Sequence, residues 1–425
     1  MGMSGVRTLD DDMWDSVIIG GGPSGLAAAS RLAEKGFDVC LIERDEELGG
    51  LLDQCIHDGF GTKLFDEAMS GPEFVDIFEK KVENSGVKVM LNSFVDSVEP
   101  VKGGHKITNM TPSGVVSLKT KTIVYAIGCR EKNRFEIRIG GTRPSGVYTA
   151  GTVQRLVNLY GILPGRDVLI VGGGDVGMIV ARHLYLEGVD SIKIVYPEEF
   201  FAGLPRNAQQ CVLDFDIPYE PRTTVRKIHG RKRVVGVELV KVDEDWDPID
   251  GSEEFYPCDC VILSLGLMPY SEQLRTIGAL VDKKTSGPVV DEYFQTTVKD
   301  VFAVGNLVQI FDYVDDAVLS AYRAADGVEK LLKGENSGEK ILDIKAGDNV
   351  RSVTPQRMTW SDDEDMMMFF RPEKNMKTPY IRIKGENGRT LKSYRKKFIS
   401  PSILEKIEVP KDVIRGQKEV ILRVG

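Results

Sequence analysis

The stretch Ser16-Val17-Ile18-Ile19-Gly20-Gly21-Gly22-Pro23-Ser24-Gly25, with Leu26 to Lys35 behind it, decides the fold. The β-branched run reads as a short buried strand, the glycines as a turn, and the segment after them as a helix by composition and apolar spacing. Gly36 stops that helix, and Val39 to Ile42 read as a second strand ending in Glu43, 18 residues beyond Gly25. A diphosphate approaches a backbone closely only where side chains are missing. Gly20 then permits the tight turn, Gly22 the close approach and Gly25 the packing of helix on strand. The free N–H groups and positive dipole end of the helix stabilise phosphate charge, and Pro23 suits a first helical position that needs no donor. Glu43 is placed to accept hydrogen bonds from a ribose hydroxyl, so residues 20–43 are expected to bind a dinucleotide.

The same pattern returns about 152 residues later. Val168 to Val171 form the strand, Gly172-Gly173-Gly174-Asp175-Val176-Gly177 the turn, a helix runs to about Glu187, and Ser191 to Tyr196 form the next strand. Here the position matching Glu43 falls at Val195 or Tyr196, which offers no carboxylate, and no Arg is suited to a 2′-phosphate. Glu198 or Glu199 substitutes if the loop turns back; otherwise the unit persists as an empty copy. The expected fold is α/β, with two Rossmann-like domains, one nested within the other, plus a small β-rich C-terminal domain.

The chain has 425 residues, with 55 Lys and Arg against 64 Asp and Glu, a formal net charge of −9. That balance argues against a duplex nucleic acid or an anionic membrane as partner. No apolar run approaches the roughly 18 to 20 residues of a membrane span. Asp10, Asp11 and Asp12 stand where a secretory signal would be apolar, so Met1 to Ser16 read as a loose terminus and the expected location is cytoplasmic. Cys40, Cys55, Cys129, Cys211, Cys258 and Cys260 include no C-x-x-C pair, which fits a reducing compartment. Cys258 and Cys260 are expected on one face of a strand as core residues, and Cys40, Cys129 and Cys211 as small buried apolar groups. His105, His183 and His229 have no metal-ligand spacing, so no metal is expected. The clusters Arg231-Lys232-Arg233 and Arg395-Lys396-Lys397 read as solvated turns, and Asp362 to Asp365 as a solvated loop.

Taken together, the paired turns resemble the two-dinucleotide-domain flavoproteins, the pyridine nucleotide–disulfide oxidoreductase superfamily. The resemblance implies FAD in the first unit and NAD(P)H in the second. Thr122 to Gly128 resemble the strand-turn where the chain leaves the FAD domain, Asp259 to Pro269 the strand where it returns, and Val301 to Asn306 the late FAD motif. The last residue of that motif is usually Asp and holds the ribitol; Asn306 brings an amide without charge. A helix from about Ala317 to Val328 is expected to point its N-terminus at the flavin pyrimidine edge. The implied FAD-binding residues are Gly20, Gly22, Pro23, Ser24, Gly25, Glu43, Arg44, Gly50, Gly128, Gly305 and Asn306, and the nicotinamide-binding ones Gly172, Gly174, Asp175 and Gly177.

A closer likeness rests on Gly49 to Gly61, containing Gln54-Cys55-Ile56-His57-Asp58-Gly59-Phe60-Gly61, and on Gly128 to Glu131, Gly141 to Gly146 and Thr149 to Thr152. These segments resemble the flavoproteins associated with glycerol-3-phosphate dehydrogenases, relatives of the second-flavin subunits of proline and opine dehydrogenases. The likeness implies an oligomer, and one component of a larger complex. It implies an FAD-binding domain of residues 13–131 and 268–334, an inserted NAD(P)-binding-like domain of residues 151–267, and a β-rich domain of residues 336–425. By the same likeness, His57 and Cys55 lie beside the isoalloxazine and are the candidate catalytic residues, His57 as a proton shuttle near neutral pH. Three functions stay open. One is an FAD-dependent oxidoreductase passing electrons between NAD(P)H and an acceptor, one an electron-transfer subunit beside a partner dehydrogenase, and one a non-catalytic flavin-binding scaffold.

Overall fold

The computed structural model describes residues 7–8, 13–335, 342–359 and 364–425. Most of the amino-terminal segment read as loose, including Asp10 to Asp12, lies outside the described residues, as do Asp362 and Asp363. The rest of that acidic run is less free than expected: Glu364 pairs with Arg323 at 2.5 Å and Lys330 at 3.1 Å.

The chain divides into one unit of Met1–Cys129 with Pro269–Gly425 and another of Arg130–Met268. In the first, Trp14–Ile19 lies between Val39–Ile42 and Gly114–Tyr125, all parallel, and Lys88–Met90 extends the sheet beyond Val39–Ile42. Val301–Ala303 pairs with Ile123 to Tyr125. In Trp14–Ile19, Val39–Ile42 and Val301–Ala303 the β-branched and aliphatic residues are buried on both faces, which suits parallel strands covered by helices. Phe94–Val101, Gly104–Thr111 and Gly114–Tyr125 form an antiparallel meander at one side.

The first helix, Pro23–Glu34, begins on the turn itself, three residues ahead of the expected start. It buries Leu26, Ala27, Ala28, Ala29 and Leu32, and the small Ala face lets it lie close to the sheet. Helix Val314–Leu332 is longer than the segment expected from about Ala317 to Val328 and carries Asp315 and Asp316 in its first turn.

The second unit repeats the plan. Val147–Thr149, Cys260–Leu263, Asp167–Val171, Ser191–Val195 and Tyr219–Glu220 form a parallel sheet in that order. Helix Asp175–Leu186 follows the second glycine turn. A sheet of Glu254–Tyr256, Val234–Lys241 and Thr223–Gly230, antiparallel to one another, with Gly140–Gly141 parallel at the edge, completes the unit. Cys258 and Cys260 do not share a face: the strand begins at Cys260, and Cys258, just before it, packs in a different apolar cluster.

Residues 342–425 are mostly strands. Arg357–Met358, Leu342–Ala346, Glu419–Val424, Tyr380–Gly385 and Thr390–Arg395 form one sheet, and Val350–Thr354, Met366–Pro372 and Glu405–Val409 another. Alternating Ile381, Ile383, Val420, Leu422 and Val424 point into a cluster of their own. Among the described residues no helix is long and apolar enough to cross a membrane, and no group of three or more His, Cys, Asp or Glu could hold a metal.

Candidate functional site

The first glycine turn is shaped by close backbone contacts. A Cβ on Gly20, which has φ +106°, would lie 2.6 Å from Ala126 O, and one on Gly25 only 1.8 Å from Gly20 O. Gly22 is different. It caps the helix with φ −75°, and a Cβ there would meet no heavy atom within 4 Å; the same openness holds at Gly128, where φ is +67°. The turn is therefore tight where strand meets helix and open in front of the first helical N–H groups, the arrangement a diphosphate requires.

Glu43 is buried at the lip of this turn. Its Oε2 accepts the Gly21 N–H at 2.6 Å and its Oε1 the Asp45 N–H at 2.9 Å, so the carboxylate is held in one orientation with lone pairs remaining for a ribose. Leu48 lies over Gly21, the Gly49 N–H bonds Gly21 O at 3.0 Å, and Gly50 comes within 3.1 Å of the Gly22 Cα as a Cβ would see it. Arg44 is at the surface and its nearest acidic group is Asp45, 3.9 Å away.

Beyond Gly50 the chain makes a short 3₁₀ helix, Gly50–Gln54. Cys55 is buried, its Sγ donating to Leu51 O at 3.4 Å; burial, with the nearby Asp53 charge, pushes the thiol up to about 12. A thiol so placed is protonated at neutral pH and packs as an apolar group. Asp53 is itself pushed up to about 6 by partial burial and by Glu79 and Glu47. His57 is half-buried, with Nδ1 at 3.0 Å from Asp58 O and its ring 5.0 Å from that of Phe60.

Gly305, with φ +64°, sits directly on the first turn of helix Pro23–Glu34: a Cβ there would lie 2.4 Å from Ser24 Oγ. Ser24 Oγ donates to Ala317 O at 3.3 Å, and Ser320 Oγ accepts the Gly305 N–H at 3.0 Å. Asn306 turns its Oδ1 onto the Phe311 N–H at 3.0 Å, which leaves the amide NH₂ for other partners. The first turn of helix Val314–Leu332 is less positive than expected. Asp315 Oδ1 accepts the Lys63 and Leu64 N–H groups, each at 3.0 Å, and Asp316 pairs with Lys63 and Lys406.

The second turn is built alike. A Cβ on Gly172 would lie 2.1 Å from Ser264 O and one on Gly177 2.8 Å from Gly172 O, whereas Gly174 and Gly266 face open space. Tyr196 stands where Glu43 stands, against the middle glycine: a Cβ on Gly173 would lie 3.0 Å from the Tyr196 ring and 3.1 Å from Phe201. The loop does turn back, with Ala202 N–H on Gly173 O at 3.0 Å and the Phe201 ring 4.7 Å from that of Tyr196. Asp175 Oδ1 accepts the Leu204 N–H and the Asn207 amide, both at 2.7 Å, which ties that loop to the helix start. Glu199 is engaged by Arg222 at 3.1 Å, while burial raises the Glu198 carboxyl and leaves its Oε2 without a hydrogen-bond partner among the described residues.

Of the residues read from the sequence, the glycines, Glu43 and Asp175 fall into two groups, one about each turn, and Cys55 and His57 follow the 3₁₀ helix Gly50–Gln54. Leu48 and Phe201 were not among them. Their signal was the equal spacing of Leu48-Gly49-Gly50 after Glu43 and of Phe201-Ala202-Gly203 after Tyr196.

The family model for pyridine nucleotide-disulphide oxidoreductases matches residues 14–325, and the chain belongs to that family, as an oxidoreductase whose cofactors are FAD and NAD(P)H. The thioredoxin reductase of Listeria monocytogenes is 24% identical over 328 residues, 76% of this chain and 96% of that one. The small chain of Escherichia coli glutamate synthase [NADPH] is 26% identical over 364 residues, 78% of this chain and 71% of that one. Among solved structures, T. acidophilum thioredoxin reductase superposes with a TM-score of 0.62 at 24% identity, covering 74% of this chain and 97% of its own.

Proposed function

We propose that the chain passes electrons between NAD(P)H and an external acceptor by way of FAD, with FAD on the first glycine turn and NAD(P)H on the second. The observation that carries this reading is the pair of open positions before each helix, Gly22 with Gly128 and Gly174 with Gly266. Bound FAD supplies the hydride-accepting and electron-passing chemistry. The chain supplies position: the N–H groups after Gly22 and Gly174 hold diphosphates, Glu43 orients a ribose, and Ser24, Gly50, Gly128, Gly305 and Asn306 border the first cofactor. In this reading residues 13–131 and 268–334 are the FAD-binding domain, residues 151–267 bind NAD(P)H, residues 336–425 are the β-rich domain, and the location is cytoplasmic.

Cys55 packs, and His57, whose Nδ1 lies 3.0 Å from Asp58 O, is the candidate proton carrier next to the 3₁₀ helix. With no cysteine pair in the sequence spaced for dithiol exchange, the acceptor is reached without one. A second reading, an electron-transfer subunit beside a partner dehydrogenase, is favoured by the Gln54 to Gly61 run and by a relative that is itself the small chain of a larger enzyme. Anaerobic titration with NADH and NADPH tests the first reading: loss of the visible flavin band supports it, and an unchanged band with both contradicts it. Isolation from the native host tests the second, which a partner-free protein with full turnover would contradict.

A further inference from the structure

Residues 342–425 lie past the family match, and the thioredoxin reductases are covered almost end to end by only about three-quarters of this chain. The extra strands nonetheless grip one short segment, 306–316, from several sides. Arg371 reaches Asp312 at 2.7 Å and Ile310 O at 3.2 Å, and holds Pro401 O at 2.9 Å; both members of the ion pair are largely buried. The Leu404 N–H donates to the other Asp312 oxygen. Phe369 meets Phe311 edge to face, with ring centroids 5.2 Å apart. Lys406 shares Asp316 with Lys63, at 3.1 and 2.6 Å.

The gripped segment begins at the first glycine turn, where Gly305 rests on Ser24, and the Phe311 N–H that fixes Asn306 lies between the Phe369 and Arg371 contacts. A truncated or loosened anchor would free Phe311 and with it the orientation of the Asn306 amide. A buried ion pair tied to backbone is a poor source of net stability but a good source of a single geometry.

We propose that Arg371 and Phe369 are positioning residues for the flavin. By holding Asp312 and Phe311 they keep the Phe311 N–H on Asn306 Oδ1, so that Asn306 offers its NH₂, a donor, to the cofactor. The inference rests on FAD occupying the first turn.

The test uses the full-length protein reconstituted with FAD. Arg371→Met is compared with wild type, with Arg371→Lys, and with Ile383→Val, a change in the separate tail cluster that lowers stability without touching residues 306–316. The readouts are FAD affinity by flavin fluorescence, flavin midpoint potential, and Tm. Arg371→Met is expected to weaken FAD binding about tenfold and to shift the potential, Arg371→Lys to recover part of both, and Ile383→Val to lower Tm alone. If Arg371→Met does not fold, Phe369→Leu, which leaves the ion pair intact, gives the same readouts. A wild-type affinity and potential in a variant with reduced Tm would overturn the inference while leaving the assigned function standing. A wild-type chain that binds no FAD would overturn both.

Discussion

Glu43 and Tyr196 occupy the same place in two copies of one turn, each against the middle glycine of its run. Glu43 gives the Gly21 N–H a carboxylate oxygen at 2.6 Å, whereas Tyr196 lays a ring beside Gly173 under Phe201. The first copy thus carries a carboxylate held in one orientation and the second an aromatic wall. Burial, with Tyr219 and Glu198 nearby, pushes the Tyr196 hydroxyl up to about 12, so it stays a neutral donor.

Restoring the carboxylate should change which nucleotide the second turn prefers. Tyr196→Glu is expected to lower KM for NADH relative to NADPH about tenfold, since a carboxylate accepts from a 2′-hydroxyl and repels a 2′-phosphate. It should also cost about 3 kcal/mol of stability through the lost buried ring. Steady-state kinetics with both nucleotides, beside a thermal melt, check this; an unchanged KM ratio would contradict it.

Gly25 and Gly22 should separate folding from binding. Gly25→Ala puts a methyl group into Gly20 O and is expected to destabilise the chain by on the order of 3 kcal/mol, read from denaturant unfolding. A variant as stable as wild type would mean that the helix does not approach the strand as described.

Much of this was legible in the sequence because glycine spacing reports backbone proximity directly. Gly20, Gly25, Gly172 and Gly177 are required by contacts under 3 Å, and Glu43 is fixed by its distance along the chain. What sequence reasoning missed depends on tertiary packing. The start of helix Val314–Leu332 was hidden because Asp315 and Asp316 are acceptable in a first turn yet also read as loop, and their partners Lys63 and Lys406 are distant in sequence. Cys258 and Cys260 were assigned one face because a continuous strand was assumed, and the strand begins two residues later. Nothing local marks Arg371 as a partner of Asp312, 59 residues away.

Glu220 provides a pH test within the second unit. Burial alone would raise its carboxyl, but hydrogen bonds from Lys193, at 2.5 Å, and from Lys241 outweigh it and bring it down to about 2. A carboxyl depressed in the fold adds stability above its ordinary 4.5 and loses it as pH falls toward 2. Glu220→Gln should therefore lower Tm at neutral pH, with the gap to wild type closing between those two values. A gap that stays constant with pH would contradict the pairing.

Cys55 should resist alkylation in the folded protein at pH 8, because its thiol is buried and held protonated. Mass spectrometry after a short iodoacetamide pulse, with an unfolded control, reads this. Rapid labelling of native Cys55 would make it the nucleophile that its surroundings argue against.

The central claim is that the first turn seats FAD, and Gly22→Val tests it most directly. A side chain at this position meets no protein atom within 4 Å of its Cβ and needs no unusual φ, so the variant should fold and melt like the wild-type chain stripped of FAD. The visible spectrum of the two purified, FAD-reconstituted proteins decides: a flavin band in wild type and none in folded Gly22→Val is the predicted result. An equal flavin band in both would show that the cofactor lies elsewhere.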